Sequence, residues 1–285
     1  MPQPIDVLLR DSALILAGAG VPAPVVDAEL LVAHVLGVGR GEVQAAAVRG
    51  DDLADADAGA IAALVARRAG REPLQHLTGR APFRHLELAV GPGVFVPRPE
   101  TEVVVQFAID ALTAAVSSEP IGIDLGTGSG AIALAMATEV PHARVFAAEI
   151  SPEAYAWAAR NTSGAANLTL ELVDLGSAFP QLEGSADVVI SNPPYVPDDA
   201  VPRDPEVRLF DPALALYGGA DGLDVVRVVS RRGLALLRQG GVLVLEHGEL
   251  QGPQIRALLD ADGWIATATH PDLTQRDRAT TAVRP

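Results

Sequence analysis

Through the first 80 or so residues apolar positions recur at intervals of three and four: Ile5, Val7 and Leu8 with Leu14 and Ile15, then Val26, Leu30, Leu31, Ala33, His34 and Leu36, then Ile61, Leu64 and Val65. That spacing follows the 3.6-residue turn and predicts short amphipathic helices. Glycine and proline punctuate them at 18–24, 37–41 and 70–73. A small helical domain is expected over 1–80, its stripes serving as core and not as cofactor contacts.

The period changes at Phe83. Phe83, Leu86, Leu88 and Val90 alternate, Gly91-Pro92-Gly93 reads as the turn, and Val94-Phe95-Val96 as the returning strand, so a β-hairpin linker is expected over 81–97. Pro97-Arg98-Pro99 stiffens its exit before a helix at 100–112, whose first turn holds Glu100 and Glu102, where carboxylates suit the helix dipole. After Ser117-Ser118 strands and helices alternate. Strands are expected at 121–125, 144–150, 168–173, 186–191, 241–247, 264–269 and 279–283, with helices at 131–138, 152–161, 223–237 and 253–259. This order predicts an α/β class, Rossmann-like domain over 98–285, with helices on both faces of a parallel sheet.

Composition narrows the functional classes. The 285 residues carry 21 basic and 36 acidic side chains, a net charge of −15, and a field of that sign repels phosphate backbones unless positive residues cluster. Arg67-Arg68 and Arg231-Arg232 are the only adjacent basic pairs, so direct nucleic-acid binding is not expected. With no cysteine and no HExxH-type spacing among six histidines, no metal site is expected. Asp6, Arg10 and Asp11 interrupt any signal-like start, and the longest apolar stretch, 12–26, is broken by glycine and proline. A cytoplasmic monomer without membrane attachment is the expectation.

Candidate chemistry collects where predicted strands end. Asp124-Leu125-Gly126-Thr127-Gly128-Ser129-Gly130 turns the first strand of this region into a helix, and glycines there let a ligand approach the backbone. The spacing is GxGxG and not the dinucleotide GxGxxG. Glu149, ending the second strand, is placed to accept both ribose hydroxyls of a nucleoside. Asp174-Leu175 ends the third, where a carboxylate suits an adenine amino group but is also a common turn former.

The most specific signal is Asn192-Pro193-Pro194-Tyr195, after the fourth strand. Consecutive prolines remove two backbone donors and fix the chain, leaving carbonyls free to accept. The side-chain oxygen of Asn192 and the carbonyl of Pro193 together match the two in-plane donors of a planar NH2 group, and Tyr195 can stack on its plane. Such a nitrogen is a weak nucleophile, so much of the acceleration must come from holding it in line with an incoming methyl group, with hydrogen bonding adding electronic help. No general base is assigned, because the nitrogen becomes acidic once the methyl arrives. Glu246 and His247 close a strand at the pocket edge, where a satisfied structural role is expected.

These motifs, together with Pro97-Arg98-Pro99-Glu100-Thr101-Glu102, the run from Leu214 to Leu223 containing Gly218-Gly219-Ala220-Asp221-Gly222, Pro73 to Gly79, and Asp277-Arg278, resemble the bacterial release factor glutamine methyltransferases, the HemK or PrmC family. The resemblance covers the catalytic portion and the hairpin; the N-terminal helices match in size and class. It implies a class I methyltransferase fold using S-adenosyl-L-methionine, with S-adenosyl-L-homocysteine as product. It also implies methylation of the side-chain amide (N5) of the glutamine in the Gly-Gly-Gln motif of peptide chain release factors, gripped partly by the helical domain and hairpin. By position, Gly126, Thr127, Gly128, Ser129, Gly130, Glu149, Asp174, Leu175 and Asn192 would hold the cofactor. Asn192, Pro193, Pro194 and Tyr195 would hold the glutamine, and Asn192, Pro193 and Tyr195 would act in catalysis. Apart from the resemblance, Arg98 at the hairpin exit is a candidate substrate or cofactor contact, with a plain surface role as the equal alternative for an arginine between two prolines. Two positions depart from the family pattern with charge retained: Glu149 where many relatives have Asp, and Phe210-Asp211-Pro212 where aromatic-Glu-Pro is usual.

The rival readings are an adenine-N6 DNA or RNA methyltransferase, for which the same tetrapeptide serves after base flipping, methylation of glutamine in another protein, a non-catalytic S-adenosylmethionine-binding scaffold, and a nicotinamide-dependent dehydrogenase. The net charge opposes the first. A scaffold would not need an intact tetrapeptide, and a dehydrogenase leaves it without explanation.

Overall fold

The computed structural model describes residues 3–285. In chain order its elements are β1 (Gln3–Pro4), α1 (Ile5–Gly18), α2 (Pro24–Leu36), α3 (Arg40–Arg49), β2 (Asp52–Leu53), α4 (Asp55–Ala69), α5 (Leu74–Thr78), β3 (Arg80–Phe83) and β4 (Leu86–Ala89). There follow α6 (Pro99–Thr113), β5 (Ile121–Leu125), α7 (Ala131–Glu139), β6 (Arg144–Glu149), α8 (Pro152–Thr162), β7 (Leu168–Leu172), β8 (Ala186–Ser191), α9 (Pro205–Phe210), α10 (Ala213–Leu216), α11 (Asp224–Leu236), β9 (Leu237–Glu246), α12 (Gly252–Asp262), β10 (Ile265–Pro271) and β11 (Asp277–Val283). The chain divides into two compact units, Met1–Arg80 with Pro202–Phe210, and Ala81–Val201 with Asp211–Pro285.

In the first unit α1 to α4 bury Leu16, Leu31, Val32, Val43, Ile61 and Val65. On α1 the buried face is Ile5, Leu8, Ser12 and Leu16, while Leu14 and Ile15 point outward, so the stripe expected there is displaced by a residue or two. The segment Pro202–Phe210 joins this unit through charge. Glu206, on α9, accepts from Arg68 Nη1 at 2.8 Å and from Arg71 Nη2 at 2.5 Å, and Arg68 also donates to Asp27 at 2.7 Å. Burial alone would push the Glu206 carboxyl up, but the arginine hydrogen bonds outweigh it and hold the group at about 2.

The second unit is built on a seven-stranded sheet in the order β10-β11-β9-β8-β5-β6-β7. β7, β6, β5, β8 and β9 run parallel, and β11 and β10 close the edge antiparallel. The central strands are buried on both faces, one core containing Val188 and Ile190 and the other Ile123, Leu125 and Val189. β5 has β6 on one side and β8 on the other, so the strand order reverses at β5, and the carboxyl ends of β5 and β8 open on the crevice where such sheets bind ligands.

Two expectations about the linker region are corrected. The hairpin turns at Arg84-His85, between β3 and β4, with Arg84 at φ 54°, and Val94 to Val96 belong to no strand. Pro92-Gly93 is a turn, with Gly93 at φ 88°, but it joins no pair of strands, and Gly91 beside it serves as a contact: a Cβ on Gly91 would stand 2.6 Å from the Trp157 indole, whose Nε1 donates to Pro92 O at 3.2 Å. In addition, β9 begins at Leu237, ahead of the expected 241, with its pairing to β8 shifted between Ala186 and Val188 and Gly240 at φ 74°. The Gly240-Gly241 pair that reads as a strand start is a bulge inside the strand.

Candidate active site

β5 ends in Leu125, and the backbone then turns through Gly126, Gly128 and Gly130 at φ 80°, 58° and 84°, left-handed values that glycine adopts without a Cβ penalty. The amides of Gly126 and Thr127 both donate to Ala148 O at 2.9 Å, tying the loop to β6. Within it the Thr127 hydroxyl donates to Asp124 Oδ2 at 2.5 Å, and Asn161 Nδ2 donates to Ser129 O at 2.9 Å. Asp124 is fully buried, and burial raises its carboxyl to about 7 even though the Thr127 hydrogen bond opposes the rise. It braces the loop from beneath. Above, a Cβ on Gly128 would meet nothing within 4 Å, and one on Gly126 would meet only Leu175, at 3.8 Å. The loop is thus an open backbone cradle walled on one side by Leu175, and a nucleoside-bearing cosubstrate fits it.

Glu149 closes the cradle at the end of β6. Its Oε2 accepts from Gly128 N at 2.8 Å, and its Oε1 from Ile150 N at 3.0 Å and Ser151 N at 2.8 Å. A carboxylate offers about four acceptor sites, so roughly one remains for a ligand hydroxyl while the Gly128 bond stands. The expectation that both ribose hydroxyls are accepted directly therefore requires that bond to be shared or displaced. Asp174 is exposed, and its Oδ1 accepts from Gly176 N at 2.7 Å, a turn-forming contact.

Because β5 and β8 are neighbours, Asn192 follows β8 beside the glycine loop, and the Ser191 hydroxyl donates to Leu125 O at 2.6 Å across the two strand ends. The tetrapeptide is clamped from outside. Val196 N donates to Leu216 O at 2.8 Å, Gly218 N to Val196 O at 2.9 Å, and Gln251 Nε2 to Tyr195 O at 2.9 Å. A Cβ on Gly218 would stand 2.4 Å from Pro194 O, and one on Gly222 would stand 2.3 Å from Tyr195 O. The Gly218 to Gly222 motif therefore exists to let one backbone lie against the carbonyls of the other. Among the described residues no protein donor reaches the Pro193 carbonyl.

Arg98 is drawn elsewhere. Its Nη2 donates to the buried Asp211 at 2.8 Å, and its guanidinium lies 5.1 Å from the centre of the Phe95 ring. The departure at Asp211 thus keeps an ion pair. His247 is buried and satisfied, with Nδ1 against Gly248 O at 2.9 Å and Nε2 against the Thr280 hydroxyl at 2.8 Å, and burial lowers its pKa. That pairing fits a neutral ring donating from Nδ1. Glu246, at the end of β9, is the residue whose environment the motifs do not announce. Burial raises its carboxyl to about 7, and Thr101, Arg278, Glu100 and Asn192 surround it. Tyr195 belongs to the same cluster, its hydroxyl raised by burial and by Glu246. Among the described residues no group of three potential ligands forms a metal site, and no helix is long and apolar enough to cross a membrane.

Comparison with known proteins places the chain in a family. Residues 8–79 match the PrmC N-terminal domain and residues 86–243 the methyltransferase small domain. The chain is 52% identical to a release factor glutamine methyltransferase of Streptomyces coelicolor, over 94% of this chain and 93% of that one. It is 38% identical to a 4-amino-L-phenylalanine/4-methylamino-L-phenylalanine methyltransferase of Streptomyces pristinaespiralis, over 94% and 91%. In structure it resembles a T. thermophilus 16S rRNA N2 G1207 methyltransferase in complex with AdoMet and guanosine, with a TM-score of 0.52 over 72% of this chain and 50% of that one; at 21% identity this likeness bears on the fold alone. With near-complete coverage by such a relative and both domain families matched in order, the chain is a methyltransferase that belongs to the release factor glutamine methyltransferase family.

Proposed function

We propose that this protein transfers the methyl group of S-adenosylmethionine to the side-chain amide nitrogen of the glutamine in the Gly-Gly-Gln motif of peptide chain release factors. The observation that carries the reading is the juxtaposition, at the reversal point of the sheet, of an open glycine cradle after β5 and the clamped Asn192 to Tyr195 after β8. Identity of 52% to a relative so named supports the substrate.

The cosubstrate supplies an electrophilic methyl on a sulfonium centre. The cradle of Gly126 to Gly130 with Leu175 would receive it, Glu149 would accept a ribose hydroxyl, and Asp174 would accept from the adenine amino group. Asn192 Oδ1 and Pro193 O accept the two N–H groups of the glutamine amide. That pair of acceptors orients the nitrogen toward the methyl and returns electron density to it, compensating for a lone pair delocalised into the carbonyl. As the N–C bond forms, the S–C pair returns to sulfur, and the nitrogen then releases a proton to solvent. Tyr195 lies over the amide plane.

The Streptomyces pristinaespiralis relative carries a second reading, since its named substrate bears an aromatic NH2, whose two in-plane donors also match the acceptor pair of Asn192 and the Pro193 carbonyl in this chain. The experiment is incubation with labelled S-adenosylmethionine and, in separate arms, a release factor, its Gly-Gly-Gln Gln→Ala variant, 4-amino-L-phenylalanine and adenine-containing DNA. Label in the intact release factor alone is expected. Label in the arylamine or the DNA, with none in the release factor, would overturn the proposal.

A further inference from the structure

Glu246 is a buried carboxylate with no evident structural partner to neutralise it. It is 1% exposed, forms no ion pair at salt-bridge distance among the described residues, and its Oε2 has no hydrogen-bond partner there. The nearest cation, Arg278, leans instead on Asp272, 3.7 Å from its Nε, and on His247 O, 3.3 Å from its Nη1. An unneutralised carboxylate in such a place is costly to a fold. Its position supplies a reason. Ser191 of β8 pairs in register with Leu245 of β9, so the next residues along these parallel strands, Asn192 and Glu246, emerge side by side, and the Asn192 side chain lies against the carboxylate.

We propose, resting on the reading of Asn192 as a substrate acceptor, that Glu246 is a positioning residue whose carboxylate fixes the Asn192 amide with Nδ2 turned toward itself and Oδ1 turned toward the substrate. An asparagine amide has two nearly isosteric orientations, chosen by its hydrogen-bond partners. An ionised carboxylate only accepts, so it selects Nδ2. Flipped, Asn192 would oppose its own NH2 to the substrate NH2, donor against donor.

The arrangement depends on ionisation. Burial keeps the Glu246 carboxyl near 7, with Glu100 on α6 raising it further and Thr101, Arg278 on β11 and Asn192 drawing it down. Tyr195 faces it from the loop after β8, and His247, its neighbour on β9, is turned away to Gly248 and Thr280. Below that range the protonated acid donates, and the selection of Nδ2 is lost.

The chain contains three asparagines, Asn161, Asn167 and Asn192. Selective 15N-asparagine labelling therefore gives three side-chain NH2 signals, and those of Asn161 and Asn167, which donate to backbone carbonyls, serve as internal references. The expected result is that the pair missing in Asn192→Ala moves with a midpoint near pH 7 in the wild type and does not move in Glu246→Gln. In the same variant kcat should fall by about 10²-fold, a typical cost of a misplaced reacting group. The KM for S-adenosylmethionine should stay unchanged, the acidic limb of the kcat–pH profile should disappear, and Glu246→Asp should restore part of kcat. A wild-type Asn192 signal flat across pH 5 to 9, or a Glu246→Gln enzyme with wild-type kcat and pH profile, would overturn the proposal. The NMR titration needs no substrate, so a wild type inactive on release factors would refute the substrate reading while the titration still decides the role of Glu246.

Discussion

At the scale of single residues, the tetrapeptide is held by atoms far away in sequence. Its presence was legible because two prolines after a strand are rare and their consequences are local. The reason for the glycines at 218–222 was not legible, because it lies in carbonyls of Pro194 and Tyr195 that only the fold brings to them. Gly218→Ala should lower kcat by about 10²-fold by displacing that carbonyl, and should cost about 1–3 kcal/mol in overpacking. Gly164→Ala, where a Cβ meets nothing and φ is ordinary, should leave activity and Tm as they are. Steady-state kinetics and thermal melts of the two variants check this. The buried acids make a second prediction. Asp124 and Glu246 are both raised to about 7 in the folded chain, so between their ordinary values near 4 and pH 7 the folded state binds more protons than the unfolded one. Stability then falls as pH rises through that window, by about 1.4 kcal/mol per pH unit for each group, and levels off above it. Glu206 acts oppositely but lower: held at about 2, its contribution is present above its ordinary value and lost only as pH falls toward 2. Urea denaturation at pH 5 and pH 8 should show a shallower decline in Asp124→Asn than in the wild type.

At the scale of elements, period and punctuation located the parallel strands well, and the span 121–125 coincides with β5. Strands buried on both faces announce themselves as apolar runs, and a glycine or proline ends most of them. Sequence and structure part where a glycine serves close contact or a bulge as well as turning. Gly91 and Gly93 admit Trp157 and Glu153 around the Pro92-Gly93 turn, and Gly240 makes a bulge, but in sequence these look the same as the glycine of a hairpin loop. Helix α3 was missed because only Val43 and Ala46 of its ten residues are buried, too few to set a period. The ion pair between Arg98 and Asp211 belongs to this scale, since it ties the residue before α6 to the short link between α9 and α10. The Asp211 side chain is wholly buried, and removing its cation from it should cost about 3 kcal/mol. We expect Arg98→Ala to melt well below the wild type, with Arg98→Lys recovering part of the loss. A large kcat effect in Arg98→Lys with no change in Tm would instead make Arg98 a substrate contact.

At the scale of the whole molecule, the charge of −15 is legible in the sequence, but the membership of Pro202–Phe210 in the helical unit is not. Glu206 carries that segment into the helical unit through Arg68 and Arg71, a pairing across more than 130 positions that no local pattern encodes. A truncation lacking 1–80 would strip Glu206 of both arginines, and so would damage the chain seven residues beyond Tyr195 as well as any substrate grip. Point changes on the exposed surface of α1, such as Leu14→Ser with Ile15→Ser, test the grip more cleanly. They should raise the KM for a full-length release factor and leave that for a short Gly-Gly-Gln peptide unchanged. The central claim, that Asn192 and the Pro193 carbonyl present a glutamine amide to the methyl donor, is tested most directly by Asn192→Ala. Labelled S-adenosylmethionine and an intact release factor should give wild-type transfer and, in the variant, the loss of turnover with Tm and cosubstrate binding little changed; near-normal transfer by a folded Asn192→Ala would contradict the account.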